Sequence, residues 1–162
     1  MRISLNRTIG LGFLFLLLLA GCQSSQTPFT PTAVKKPGNG KVYVYWPGQR
    51  WGEKSGQAPG IRVDGVPVGL LSYKRYLELE LPGGTHEFSL SGEGPGANWD
   101  GPEQSFTAKV EPGRNLYIRL LVKYDQTSNR LGQGGMQYVI HFLPRAAPEA
   151  RREMAGLRPV PG

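Results

Sequence analysis

Two glutamates and two histidines are the residues whose types could carry out acid–base chemistry in this chain. Glu78 and Glu80 lie two residues apart in the run YLELEL, so a strand would place both carboxylates on one face, about 7 Å apart. A carboxylate pair can serve as general acid and general base on a glycosidic bond. The alternative, which we favour, is that both glutamates form the solvent face of an amphipathic strand. His86 and His141 have no partner at a metal-ligand spacing, so we predict no metal site, no cofactor and no catalytic residue.

Two tryptophans with polar neighbours are the best candidates for recognising a partner. Trp51 follows Arg50 in the run QRWG, and Trp99 follows Asn98 in the run GANWDG, both outside any strand pattern. Large aromatic side chains beside polar groups are typical of recognition surfaces, because they bury a large area at a small cost in entropy. We predict that these four residues could stack on a sugar ring or anchor a protein partner. The alternative is that each tryptophan folds back and caps an open end of the domain.

Residues 1–22 carry the most specific motif of the chain. Arg2 and Arg7 precede an apolar stretch at 9–20, and small residues follow it, which is the order of a secretory signal peptide. The stretch is shorter than the roughly 20 residues that a membrane-spanning helix needs. The run LAGC at 19–22 resembles the lipobox of bacterial lipoproteins. That resemblance implies cleavage between Gly21 and Cys22 and acylation of Cys22 with fatty acids such as palmitate.

Cys22 is also the single cysteine of the chain. A disulfide within the chain and a cysteine metal cluster are therefore impossible, and a free exposed thiol would be a liability in an oxidising compartment. Acylation explains this cysteine, and several acyl chains together make a stable membrane anchor. Gln23 differs from the aspartate that retains enteric-type lipoproteins in the inner membrane. The lipobox resemblance therefore implies an outer-membrane anchor with the domain facing the periplasm.

The charge balance is modestly basic. The chain has 19 Lys and Arg against 12 Asp and Glu, and removal of Arg2 and Arg7 with a signal peptide lowers the net charge from +7 to +5. The basic residues are scattered along the chain, whereas nucleic-acid readers cluster them on one face, so we predict no nucleic-acid partner. Two alternatives remain open: a positive surface beside anionic lipid headgroups or cell-wall polymer, or an ordinary solvated face.

The mature chain divides into three parts. Residues 22–40 are polar and rich in Pro, Ser, Thr and Gly, which predicts a flexible tether that holds the domain tens of ångströms from the lipid. Residues 41–143 alternate apolar and polar side chains in short runs, as β-strands do. Residues 144–162 form a tail with one short helical candidate at 148–157.

The strand pattern predicts an all-β fold, an antiparallel sandwich of about seven to eight strands followed by a short helical tail. Glycine and proline separate the runs, and Asp64-Gly65 suits a tight hairpin turn. We expect Leu77, Leu79 and Leu81 to face the core. The last run, MQYVIHFL at 136–143, is apolar on both faces and is therefore expected to be a central strand.

Several of these runs together resemble a known family. They are KVYVYWPG at 41–48, IRVDGVPVG at 61–69, LPGGTH at 81–86 and EPGRNLYIR at 111–119. In this order they are similar to bacterial lipoproteins that carry a PEGA-like β-sandwich of unknown function, over roughly residues 41–143. The resemblance implies a PEGA-like or transthyretin-like fold and no chemistry. The chain departs from the family pattern at Trp46, where the family often has arginine, and in the loop at 92–102.

From these patterns we expect a membrane-anchored periplasmic protein that acts as a non-enzymatic binding or structural module of the cell envelope. Its partners would be the bilayer, through Cys22, and a protein or glycan. One alternative is an enzyme, or an accessory subunit of one, that acts on cell-wall or surface polysaccharide. Another is a component of a secretion or pilus assembly.

Overall fold

A computed structural model describes residues 26–48, 56–99, 103–125 and 137–161. These segments form a β-sandwich with one short helix, which confirms the predicted all-β class. In chain order the elements are β1 Asn39–Trp46, β2 Gly60–Val63, β3 Val66–Leu70, β4 Arg75–Pro82, β5 Gly84–Ser91, β6 Gln104–Val110, β7 Asn115–Asp125, β8 Gln137–Arg145, α1 Ala147–Glu153 and β9 Arg158–Pro159.

The strands form two sheets. Sheet A has the order β8-β7-β1-β4-β9, and sheet B has the order β3-β2-β5-β6. Most pairs are antiparallel, but β1 pairs in parallel with β7, and β4 pairs in parallel with β9. The run Pro82-Gly83-Gly84 carries the chain from β4 in sheet A to β5 in sheet B.

The predicted hairpin at Asp64-Gly65 is present between β2 and β3. Both residues have positive φ, 52° and 77°, as the tightest hairpin turns require. The Asp64 carboxylate accepts a hydrogen bond of 2.9 Å from the Glu87 amide, which ties the turn to β5. The local preference of Asp64-Gly65 for a tight turn is therefore consistent with the position of β5 beside this hairpin.

The core lies between the two sheets and is built mainly by alternate residues of the strands. Leu77 of β4 is buried, and Leu79 and Leu81 pack against the core as predicted. The buried members of this core are Val42, Val44, Trp46, Ile61, Val63, Leu71, Leu77, Phe88, Leu90, Trp99, Val110, Ile118, Leu120, Val122, Ile140 and Phe142.

Sheet A is covered on its outer face as well. Tyr43, Tyr45 and Tyr117 are buried there beneath Ala150 of α1 and Met154, which follows it. β1 is therefore buried on both faces. Within the described segments, no helix combines the length and the apolar character that a membrane span requires.

Two sequence expectations are wrong. β8 was expected to be central, but among the described strands it lies at the edge of sheet A, with β7 as its one neighbour, and His141 is exposed. Residues 22–40 were expected to be a flexible tether, but from Gln26 onward the chain lies against the outer face of sheet A, held by aromatic packing and hydrogen bonds. The predicted helix at 148–157 is present as α1, and it docks on the domain.

Candidate functional site

The chain between residues 26 and 36, here called the N-terminal strap, runs across sheet A in the direction opposite to β1. At its start, the Gly156 amide donates a hydrogen bond of 3.0 Å to the Thr27 carbonyl. At its end, the Lys36 amide reaches Glu80, which pairs in register with Lys41 near the beginning of β1. The strap therefore spans the sheet from the end of β1 to its beginning.

An aromatic socket holds the middle of the strap. The Phe29 ring contacts Tyr43, Tyr76 and Tyr117 edge to face, with centroid separations of 5.1, 5.4 and 6.5 Å. Tyr43 and Tyr117 are stacked on each other at 5.3 Å. Edge-to-face aromatic pairs each contribute about 0.5–1.5 kcal/mol beyond their buried area, so Phe29 is the main apolar anchor of the strap.

Thr32 joins the strap to the polar side of this socket. Its amide donates a hydrogen bond of 2.9 Å to the Tyr43 hydroxyl, and its hydroxyl donates to the Glu78 carboxylate. Burial raises the pKa of Tyr43, so the phenol stays protonated at neutral pH, and its oxygen accepts the hydrogen bond from the Thr32 amide. The Thr32 amide is thus satisfied by a side chain of the sheet rather than by a strand partner.

Glu80 clamps the end of the strap. Its two carboxylate oxygens accept hydrogen bonds from the amides of Lys35 (3.0 Å) and Lys36 (2.7 Å) and from the Asn39 side chain (3.3 Å). The Lys35 amide contributes most to lowering the pKa of Glu80 to about 2, followed by the Lys36 amide and then by the side chains of Lys41 and Asn39. A carboxyl group with this pKa is ionised at neutral pH and holds no proton to donate as a general acid.

Lys41 sits beneath both glutamates and is 3% exposed. Its ammonium nitrogen lies 2.8 Å from Glu78 and 3.2 Å from Glu80. Burial by itself would lower the pKa of Lys41, but hydrogen bonds and charge from the two glutamates raise it overall. Burial likewise opposes ionisation of Glu78, yet its bonds to Lys41 and Thr32 lower its pKa. The three charges form a structural cluster that fixes the strap, which differs from the predicted solvent-facing glutamates.

A cleft of about 570 Å³ opens at the other end of the strap. Gln26, Lys74 and Gly156 line it, together with Arg119 and Glu153. Arg119 pairs with Glu153 at 2.6 Å, and the Tyr45 hydroxyl donates to the second oxygen of Glu153, also at 2.6 Å. This ion pair joins β7 to the end of α1 and forms part of the cleft lining.

His86 makes no contact described for the strap, and each of its ring nitrogens has a polar partner. Its Nδ1 lies 2.7 Å from the Asp64 carboxylate, and its Nε2 lies 2.9 Å from the Pro82 carbonyl. Both partners are acceptors, so the protonated imidazole satisfies both. Asp64 accordingly raises the pKa of His86, while His86 lowers that of Asp64.

The candidate partner-binding residues lie in different environments. Trp99 is 5% exposed and packs edge to face on Trp46 at 6.0 Å. Trp99 therefore follows the capping alternative, because its ring lies in the core and not on the surface. Asn98 is exposed, but its side chain fixes the loop through the Ala58 amide (2.6 Å) and the Gly56 carbonyl (3.2 Å).

The remaining predicted site residues, Gly21, Cys22, Arg50 and Trp51, lie outside the described segments. Within those segments no three histidine, cysteine or carboxylate side chains are grouped to hold a metal ion. Comparisons with protein-family models, curated proteins and solved structures found no match to this chain.

Sequence reasoning missed the strap and the buried Lys41. One signal was available: β1, KVYVYW, has large apolar or aromatic residues at consecutive positions. A strand of this kind must be covered on both faces. The pattern alone does not say which segment provides the second cover.

Proposed function

We propose that this protein is a bacterial lipoprotein, anchored through acylated Cys22 to the periplasmic face of the outer membrane, where it acts as a non-enzymatic binding or structural module of the envelope. The observation that carries the proposal is the run LAGC at 19–22, with the single cysteine of the chain placed directly after a signal-like segment. The similarity of 41–143 to PEGA-like lipoproteins belongs to the same proposal.

The geometry of the strap supports an anchored module. Three residues separate Cys22 from Gln26, where the docked chain begins. A lipid on Cys22 would therefore hold the sandwich directly at the membrane, without a long flexible linker. The docked strap gives the anchor a fixed point of attachment on the domain.

The roles of the titratable residues favour a structural module over an enzyme. Glu78 and Glu80 hold the strap and Lys41, and His86 holds the β2–β3 turn to the turn at Pro82. A catalytic acid or base needs a pKa near the working pH and a free approach to substrate. The pKa of Glu80, at about 2, is far from that range.

The test is the processing and location of a Cys22→Ser variant, with Ser24→Ala as a matched control that keeps the cysteine. We expect the parent and the control to be processed and to fractionate with membranes. The Cys22→Ser form should keep its signal segment, because lipoprotein processing requires a modified cysteine. Identical processing and fractionation of all three forms would contradict the proposal.

A further inference from the structure

The start of the strap determines which end of the sandwich would face a membrane. Gln26 lines the cleft with Gly48, which follows β1, and with Lys74, which precedes β4. A chain spans at most about 3.6 Å per residue, so four peptide units place Gln26 no more than about 14 Å from Cys22. If Cys22 carries lipid, this end of the sandwich lies next to the headgroups.

The same end carries a group of exposed basic side chains, here called the basic end: Lys74, Arg151, Arg152 and Arg158. Lys74 lines the cleft, and the Arg158 amide donates to the Lys74 carbonyl at 3.4 Å. Arg151 and Arg152 occupy the last turn of α1, whose chain continues into the cleft at Ala155.

Within the described segments, no salt bridge neutralises the charge of the basic end. None of its four members forms a salt bridge with another residue of the described segments. The nearby carboxylates are already engaged, since Glu153 pairs with Arg119 at 2.6 Å and Glu149 with Arg145 at 3.7 Å. Four positive charges therefore face outward at the end where the strap begins.

We propose that the basic end is a contact surface for the anionic phospholipid headgroups of the membrane that holds Cys22, an inference that rests on the proposed lipid anchor. Guanidinium groups bind phosphate with two parallel hydrogen bonds. Each basic residue near an anionic leaflet contributes about 1 kcal/mol, and the attraction fades within roughly 8 Å at physiological salt. The short connection to Cys22 keeps the basic end within reach of this field, so the anchor and the surface together fix how the domain stands on the bilayer.

The opposite end of the sandwich provides a matched comparison. Lys36, Lys109 and Arg114 are exposed there, close to the beginning of β1. Gly40 marks this end, because a side chain on it would touch Val110 and the Arg114 carbonyl. In the proposed orientation these residues point away from the membrane.

The experiment uses the intact acylated protein in vesicles of phosphatidylcholine, with or without one third phosphatidylglycerol. An amine-acetylating reagent is added, and the acetylation rate of each lysine is read by mass spectrometry. We expect phosphatidylglycerol to slow the acetylation of Lys74 about fivefold, the factor that corresponds to about 1 kcal/mol. The acetylation rates of Lys36 and Lys109 should not change. High salt should remove the protection, because it screens the headgroup charge.

Two charge-matched variants test the residues themselves. Changing Arg151, Arg152 and Arg158 to Gln should abolish the protection of Lys74 by phosphatidylglycerol. Changing Lys36, Lys109 and Arg114 to Gln removes the same charge at the other end and should leave that protection intact.

The outcomes separate this inference from the anchor on which it rests. The inference is overturned if the protein is acylated and vesicle-bound but its Lys74 is acetylated at the same rate with and without phosphatidylglycerol. The proposed function is not affected by that result. Protection of Lys36 and Lys109 in place of Lys74 overturns it as well, because the domain would then stand the other way up. A chain without acyl groups that binds neither vesicle overturns the proposed function and the inference together.

Discussion

Replacing Phe29 with alanine should detach the N-terminal strap while leaving the sandwich folded. A fully buried phenylalanine contributes about 3–5 kcal/mol relative to alanine. Phe29 is half-buried and makes three edge-to-face contacts, so we expect a loss of about 2 kcal/mol. That loss raises the detached population of the strap about thirtyfold, since 1.4 kcal/mol corresponds to a factor of ten.

Native-state hydrogen exchange of single amides measures this effect directly. The Thr32 and Lys36 amides are hydrogen-bonded to sheet side chains when the strap is docked, so they should exchange about thirtyfold faster. The Val44 amide in β1 should exchange at the parent rate. Val66→Ala, at a position 62% exposed, is the control and should change neither. Unchanged exchange at Thr32 and Lys36 would refute the role given to Phe29.

Three further predictions follow from single residues. Trp99→Ala should lower the free energy of unfolding, measured in urea, by about 3–5 kcal/mol, because the ring is in the core. An unchanged midpoint of the urea transition would contradict the core position of Trp99. Glu80 has a pKa lowered from 4.5 to about 2, so its stabilising contribution is complete above pH 4.5 and is lost as the pH falls through about 2. The Lys36 amide resonance in NMR should accordingly titrate near pH 2, and a midpoint near 4.5 would contradict the clamp. Gln23→Asp should move the protein to the inner-membrane fraction of a density gradient, whereas an unchanged distribution would count against the outer-membrane assignment.

The strands could be predicted because their signals are local. Alternation of Leu77, Leu79 and Leu81 located β4, and Asp64-Gly65 located the first hairpin. Strand order depends on pairings between distant residues, such as the parallel register of Val42 with Leu116 and of Val44 with Ile118. The apolar pattern of β8 does not show that β1, and not β8, lies at the centre of the sheet.

The strap could not be predicted because its stability comes from the sheet. Its own residues are mostly polar, and Phe29 is the one aromatic residue among them. Composition therefore predicted a tether. The hydrogen bonds that order the strap come from Tyr43, Glu78 and Glu80, and the spacing of those residues looks like an ordinary amphipathic strand. Long-range packing also buries Trp99, a residue for which the sequence left both exposure and burial open.

The most direct test of the central claim is the intact mass of the protein extracted from membranes, with fragmentation of its N-terminal peptide. The account predicts a chain that begins at Cys22 and carries a diacylglyceryl group on the sulfur and a fatty acid on the amine. A mature chain that begins at another residue, or a Cys22 peptide without added acyl mass, would contradict it.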